Sequence, residues 1–128
     1  MEIVKTIILL LSGLMLLFVG LMRLTNPIKT YLKSSGIKLN KDVDLLNEVR
    51  GVSAVMLCAG IVILLGIIVS ELTYTSFMVG TLIFIGFAIG RIISLLSDGK
   101  PNKQIIQGIV FEIILGGANL FGMLSILQ

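Results

Sequence analysis

Four long, predominantly apolar runs, at about 3–24, 48–71, 74–96 and 104–127, leave this chain little choice of solvent. Each reaches the roughly 20 residues that carry an α-helix across the hydrocarbon of a bilayer. Within lipid no water is on hand for an exposed peptide group, so a spanning segment must satisfy its backbone internally; helices do, and open sheet edges do not. The expected fold is therefore all-α, a single domain over 1–128 forming a polytopic membrane bundle of four transmembrane helices. Only 13% of the residues are charged, against about a quarter in a soluble domain. The first run is longer than the roughly 7–15-residue core of a signal peptide, and no A-x-A cleavage signal follows it, so it is read as a retained span.

The connections carry the punctuation. Asn26-Pro27 ends the first run, because the residue before proline disfavours the α region. The loop 25–47 is the longest polar stretch, and within it 27–35 fits a short interfacial helix: Pro27 at the first helical position, Ile28, Tyr31 and Leu32 on one face, Lys29 and Lys33 reaching outward. Asp42 is a candidate N-cap for the second long helix. Glu71-Leu72-Thr73 is a tight connection, and Asp98-Gly99-Lys100-Pro101-Asn102 is a turn by composition.

Nine of the ten basic side chains flank the first and last connections: Arg23, Lys29, Lys33, Lys38, Lys41, Arg50, Arg91, Lys100 and Lys103, with Lys5 alone on the other side. By the positive-inside rule both of these connections face the cytoplasm and both termini face outward, which in a bacterium means an inner-membrane protein with periplasmic termini. No basic stripe is interleaved with aromatics, so nucleic acid is not an expected partner; membrane lipids are, together with a second copy of the chain or a partner membrane protein. The absence of histidine removes His-ligated haem, His-based zinc sites and every histidine general base. No phosphate loop, nucleophile elbow or dinucleotide fingerprint is present, so neither a cofactor nor a metal is expected, and an enzyme is the weakest reading. The lone Cys58 is read as a small packing residue.

Charges at membrane depth are expensive and call for partners. Arg91 lies seven residues before Asp98, ~10 Å inside the span, and Glu112 lies eight residues after Gln104, ~12 Å inside, at 1.5 Å per residue. Their helices are antiparallel neighbours, so an Arg91–Glu112 ion pair is expected, with Glu48 or Arg50 able to join it. Ser94 and Asp98 follow Arg91 at helical spacing, Gly108, Glu112, Gly116 and Asn119 share a face, and Asn47, Glu48, Arg50 and Arg23 sit at the same boundary. Together they point to an inward polar cluster in the cytoplasmic half. It is either a binding or transport site for a small amphiphile or anion, or an ion-pair clasp in a structural or accessory subunit; a lipid-modifying enzyme using Glu48 or Glu112 as base is a third reading.

Twelve of the fourteen glycines fall in the spans. Gly86 and Gly90 form a GxxxG, and Gly108 and Gly116 lie on one face; small residues let membrane helices approach closely, and packing within the bundle is the expected use, with a homo-oligomer seam at Gly86 and Gly90 as the alternative. Each helix pair has an arginine late in its first member and a glycine early in its second, Arg23 with Gly51 and Arg91 with Gly108. The unequal loops leave a two-plus-two repeat open.

With Asn47-Glu48-x-Arg50-Gly51 opening the second span, Gly90-Arg91-x-x-Ser94-Leu95-x-x-Asp98-Gly99 closing the third and Glu112 inside the fourth, the chain resembles the bacterial four-span membrane proteins described as domain of unknown function 4345. The resemblance covers nearly the whole chain. It implies a four-helix membrane bundle and no particular activity, and it singles out Glu48, Arg50, Arg91, Asp98 and Glu112.

Overall fold

The computed structural model describes residues 2–128. Helix α1 spans Ile3–Thr25, α2 Pro27–Ser35, α3 Val43–Ile68, α4 Thr73–Asp98 and α5 Lys103–Leu127, with a single 3₁₀ turn, Ser70–Leu72, between α3 and α4. Four of the five helices are long and apolar enough to cross a membrane. Their outward faces carry Phe18, Leu82, Ile93, Phe111, Ile114 and Phe121, all exposed. A water-soluble monomer does not present that much contiguous apolar surface; a membrane protein does. The ends of the helices follow local rules. Asp42 caps α3, its carboxylate accepting from the Asp44 N–H at 2.9 Å. Gly36 closes α2 in the left-handed conformation at φ 66°, the position that favours glycine.

α1 packs chiefly against α3 and α4 against α5; the two pairs meet along α3 and α4, while α1 and α5 touch sparsely. Leu9, Leu16, Met56, Ala59, Ile63, Phe77 and Phe84 form the apolar centre. The tight seams are made by glycine. A Cβ on Gly60 would stand 2.6 Å from the Leu17 amide nitrogen, and one on Gly20 would stand 2.6 Å from the Leu57 nitrogen. On the other pair, Gly116 lies under Ile85 and Gly122 under the Phe77 ring. Gly86 and Gly90 face outward with nothing within 4 Å of a Cβ placed on either, so the expected packing role for that GxxxG within the bundle is corrected. Gly108 likewise meets nothing within 4 Å. The α4 faces that do pack hold Phe77, Gly80, Phe84 and Ala88, one position or more off the GxxxG line. Cys58 is also exposed rather than packed; it sits on the outer side of α3 beside Ala54, Val62, Val79 and Ile83.

The two helix pairs repeat each other. Leu9, Ser12, Leu16 and Gly20 are buried on α1; the residues 68 positions further on, Phe77, Gly80, Phe84 and Ala88 (9 to 77, 20 to 88), are buried on α4. Ser53, Met56, Gly60, Ile63 and Gly66 are buried on α3; 56 positions on stand Ile109, Glu112, Gly116, Asn119 and Gly122 (53 to 109, 66 to 122), buried on α5. The contacts repeat as well: Gly60 meets Leu17, and Gly116 meets Ile85, its counterpart. The difference between the two offsets, 68 minus 56, is 12 residues. It is the extra chain in the first connection, where α2 lies. The bundle is thus a helical hairpin used twice, and the repeat left open by the sequence is present in the burial register.

Candidate functional site

Of the four seams between neighbouring long helices, the one between α1 and α5 is the loosest. The two helices are joined mid-span, where the buried Asn119 Nδ2 donates to Ser12 Oγ at 2.9 Å. Towards the end that holds the basic connections they separate, and a cavity of about 250 Å³ opens between them. Its apolar walls are Leu16 and Val19 from α1, Met56 from α3, Phe84 and Phe87 from α4 and Phe111 from α5. Arg23, Arg91, Glu112, Gln104, Gln107 and the α2 serines Ser34 and Ser35 line its polar end. Met15 on α1 and Gln107 and Phe111 on α5 line the cavity and are also exposed, so it opens sideways between the two helices, and Ser34 and Gln104, exposed as well, give it a second opening at its polar end.

α2 is folded over the top of this cavity by α5. Asn102 caps α5 by accepting from the Ile105 N–H at 3.0 Å, and its amide nitrogen donates to the Ser35 carbonyl at 2.8 Å. Gln104 Nε2 donates to the Lys33 carbonyl at 3.1 Å. One asparagine therefore starts the fourth span and fixes α2.

Arg91 Nε lies 3.1 Å from Glu112 Oε1, a charge contact whose N–H is not aimed along the line to the oxygen. Glu112 is the more deeply buried partner, with 12% of its side chain exposed against 29% for Arg91. Arg23 is held differently. Its Nη2 donates to Ser35 Oγ at 3.4 Å, and its guanidinium carbon sits 4.4 Å from the centre of the Tyr31 ring, a cation–π contact. Its Nε is buried without a hydrogen-bond partner, and among the described residues no carboxylate comes within ion-pair distance of it.

The wider cluster expected from the sequence contracts. Asn47, Glu48 and Arg50 are exposed and do not line the cavity; Arg50 Nη1 donates instead to the Leu24 carbonyl. The inner face of α3 runs through Leu46, Val49, Ser53 and Met56, and positions 47, 48 and 50 lie off that line. Neither Glu48 nor Arg50 joins the Arg91–Glu112 contact. Ser94 and Asp98 are exposed and bond each other, Ser94 Oγ donating to Asp98 Oδ2 at 2.8 Å; the inner line of α4 continues from Arg91 to Leu95, not to Ser94. Asn119 does not line the cavity; it lies about two turns beyond Glu112 on α5 and bonds Ser12 there. Gly108 lines its wall and Gly116 packs just below. Sequence reasoning undervalued Arg23 and missed Ser35, Gln104 and Gln107. The signal for Arg23 was its offset of 68 from Arg91: the two arginines are repeat mates.

Four membrane-spanning helices around a lateral cavity, with two arginines and one glutamate at its polar end, define an integral membrane protein with a small amphipathic chamber. The chain belongs to the family described as Domain of unknown function (DUF4345), whose model matches residues 4–123. No curated protein and no solved structure matches it.

Proposed function

We propose that the protein binds a small amphiphile whose polar head enters the cavity between α1 and α5. The observation that carries this reading is the composition of one chamber: guanidinium groups from two different helices at one end and aliphatic and aromatic walls below them. A chamber needed only to clasp helices would have no use for open volume beside its ion pair. The second reading, an ion-pair clasp in a structural or accessory subunit, is favoured for part of the cluster by the 3.1 Å Arg91–Glu112 distance. The two readings divide the residues between them: Arg91 and Glu112 hold helix register, and the rest of the chamber handles the ligand.

We also propose that the polar end of the cavity faces the cytoplasm, in the inner membrane of a bacterium, since nine of the ten basic side chains flank that end. In right-side-out spheroplasts of a Cys58→Ser background, a membrane-impermeant maleimide is expected to label Glu71→Cys at once and Lys38→Cys only after the membrane is opened. The opposite order would invert the topology.

Native mass spectrometry on the full chain, extracted gently from its own membrane, tests the binding reading. A reproducible added mass of lipid size is expected on the wild type and is expected to be lost or sharply reduced in Gly108→Phe, which places a ring in the cavity, while Gly117→Phe, open and away from the cavity lining, keeps it. A bare wild-type mass across mild detergents would sink the proposal and leave the clasp.

A further inference from the structure

The internal repeat says which charge in the cavity is spoken for. Arg91 and Arg23 are repeat mates (91 minus 23 is 68), and Glu112 and Met56 are repeat mates (112 minus 56 is 56). All four line the same cavity. In the second hairpin the arginine has a carboxylate at the matching place, 3.1 Å away. In the first hairpin that place is held by Met56, a residue with no charge. Arg23 consequently keeps only neutral partners, the Ser35 hydroxyl and the Tyr31 ring, and its buried Nε has none. The formal charge of the lining is two arginines against one glutamate, a surplus of one positive charge at the polar end of an apolar chamber. A buried charge of that kind is stable with a counter-ion and costly without one.

We infer that the ligand supplies to Arg23 the oxyanion that Glu112 supplies to Arg91: the ligand is a monoanionic single-chain amphiphile, carboxylate-headed as a fatty acid is, drawn sideways from the bilayer between α1 and α5. This rests on the binding reading above and specifies its ligand. One negative charge neutralises the surplus. The cavity, about 250 Å³, is below the usual 300–1,000 Å³ of a site that encloses a whole drug-sized ligand. It takes a small head and the first methylenes, with the tail left in the mouth over Met15 and Phe111, and is too small for the head of a two-chain phospholipid with its glycerol. The sideways mouth and the apolar walls favour a bilayer source over a soluble anion.

The test is a native mass spectrometry titration of the delipidated full chain in a non-ionic detergent, with oleate as probe. Inorganic phosphate and lysophosphatidylcholine serve as competitors. Oleate is expected to bind the wild type one to one, with neither competitor displacing it. Met56→Glu builds the missing carboxylate into the first hairpin, where it occupies Arg23 from within; it is expected to bind oleate at least tenfold more weakly than Met56→Gln, which has the same shape without the charge. Arg23→Gln carries the same test without adding a buried charge, and oleate occupancy is expected to fall at least tenfold there too. Equal oleate binding by Met56→Glu and Met56→Gln, or wild-type binding by Arg23→Gln, overturns the inference. Displacement by inorganic phosphate overturns the bilayer source. If the wild type carries a lipid from its own membrane that is indifferent to these changes, the binding reading stands and this assignment alone falls.

Discussion

Glu112→Leu is expected to destabilise the bundle by about 3–5 kcal/mol, the cost of leaving one partner of a buried ion pair alone, read as a fall in melting temperature in detergent. Leucine is close to glutamate in volume, so the loss is one of charge and not of packing. It strands Arg91, ten or so ångströms inside the span, beside Phe84 and Phe87 in the cavity wall. Arg91→Leu is expected to cost less. A stranded carboxyl can shed its charge by taking up a proton, whereas a guanidinium cannot shed its charge. The double change Arg91→Leu with Glu112→Leu is expected to melt within about 1 kcal/mol of the wild type, since removing both charges together lifts their desolvation cost along with their attraction. The order matters because polar contacts between membrane helices average only about 0.6 kcal/mol when measured by double-mutant cycles. A loss well above that figure in the single change, recovered in the double, identifies a charge left unpaired. Equal melting of all three variants would mean that water in the cavity already solvates the pair, and the clasp would be removed from the account of stability.

What could be read from the sequence divides along a physical line. Length in hydrocarbon fixes a spanning helix, so four helices and their order were legible from runs of apolar residues, and Asn26-Pro27 and Asp42 marked ends that the backbone uses. Depth was legible too: counting residues from the turn at Asp98 put Arg91 and Glu112 at one level, and they lie 3.1 Å apart. The face that each helix turns inward was not. A membrane helix is apolar all round, because lipid on the outside is as apolar as leucine on the inside. The usual contrast between a wet face and a dry one is missing, and spacing alone set Glu48, Arg50, Ser94 and Asp98 on the cluster when the inner lines of α3 and α4 pass beside them. The same blindness attached Gly86 and Gly90 to a seam because they form a motif, while Gly13 and Gly60, which make a seam together, stand on different helices and form none. Arg23 was visible as a charge near the interface. That it shares a cavity with Arg91 required the two hairpins to be laid over each other, at an offset hidden by the unequal loops.

The glycine seams supply the second large effect, and the repeat supplies its control. Gly60→Ala is expected to destabilise by about 1–3 kcal/mol, the range for overpacking, even though alanine is the better helix former by up to about 1 kcal/mol. Its methyl group would meet the Leu17 nitrogen at 2.6 Å and the Gly13 carbonyl oxygen at 2.9 Å; both are backbone, so relief requires α1 to move off α3 along a seam that also contains Gly20. Gly60→Leu extends the same clash and is expected to abolish the monodisperse folded species. At the repeat mate, a methyl group on Gly116 would meet Ile85 Cδ1 at 2.5 Å and Cγ1 at 2.8 Å, with the Ile85 nitrogen only at 3.3 Å. A side chain can turn aside where a backbone cannot, so Gly116→Ala is expected to cost less than Gly60→Ala. Gly86→Ala meets nothing and is expected to be neutral or stabilising by about 0.5–1 kcal/mol through helix propensity alone. Melting of the three variants in one detergent checks the order Gly60, Gly116, Gly86, from most to least damaging. Loss of stability in Gly86→Ala equal to that in Gly60→Ala would mean that the outward face of α4 is covered by another chain; wild-type melting of Gly60→Ala would remove close backbone approach as the force that holds α1 to α3.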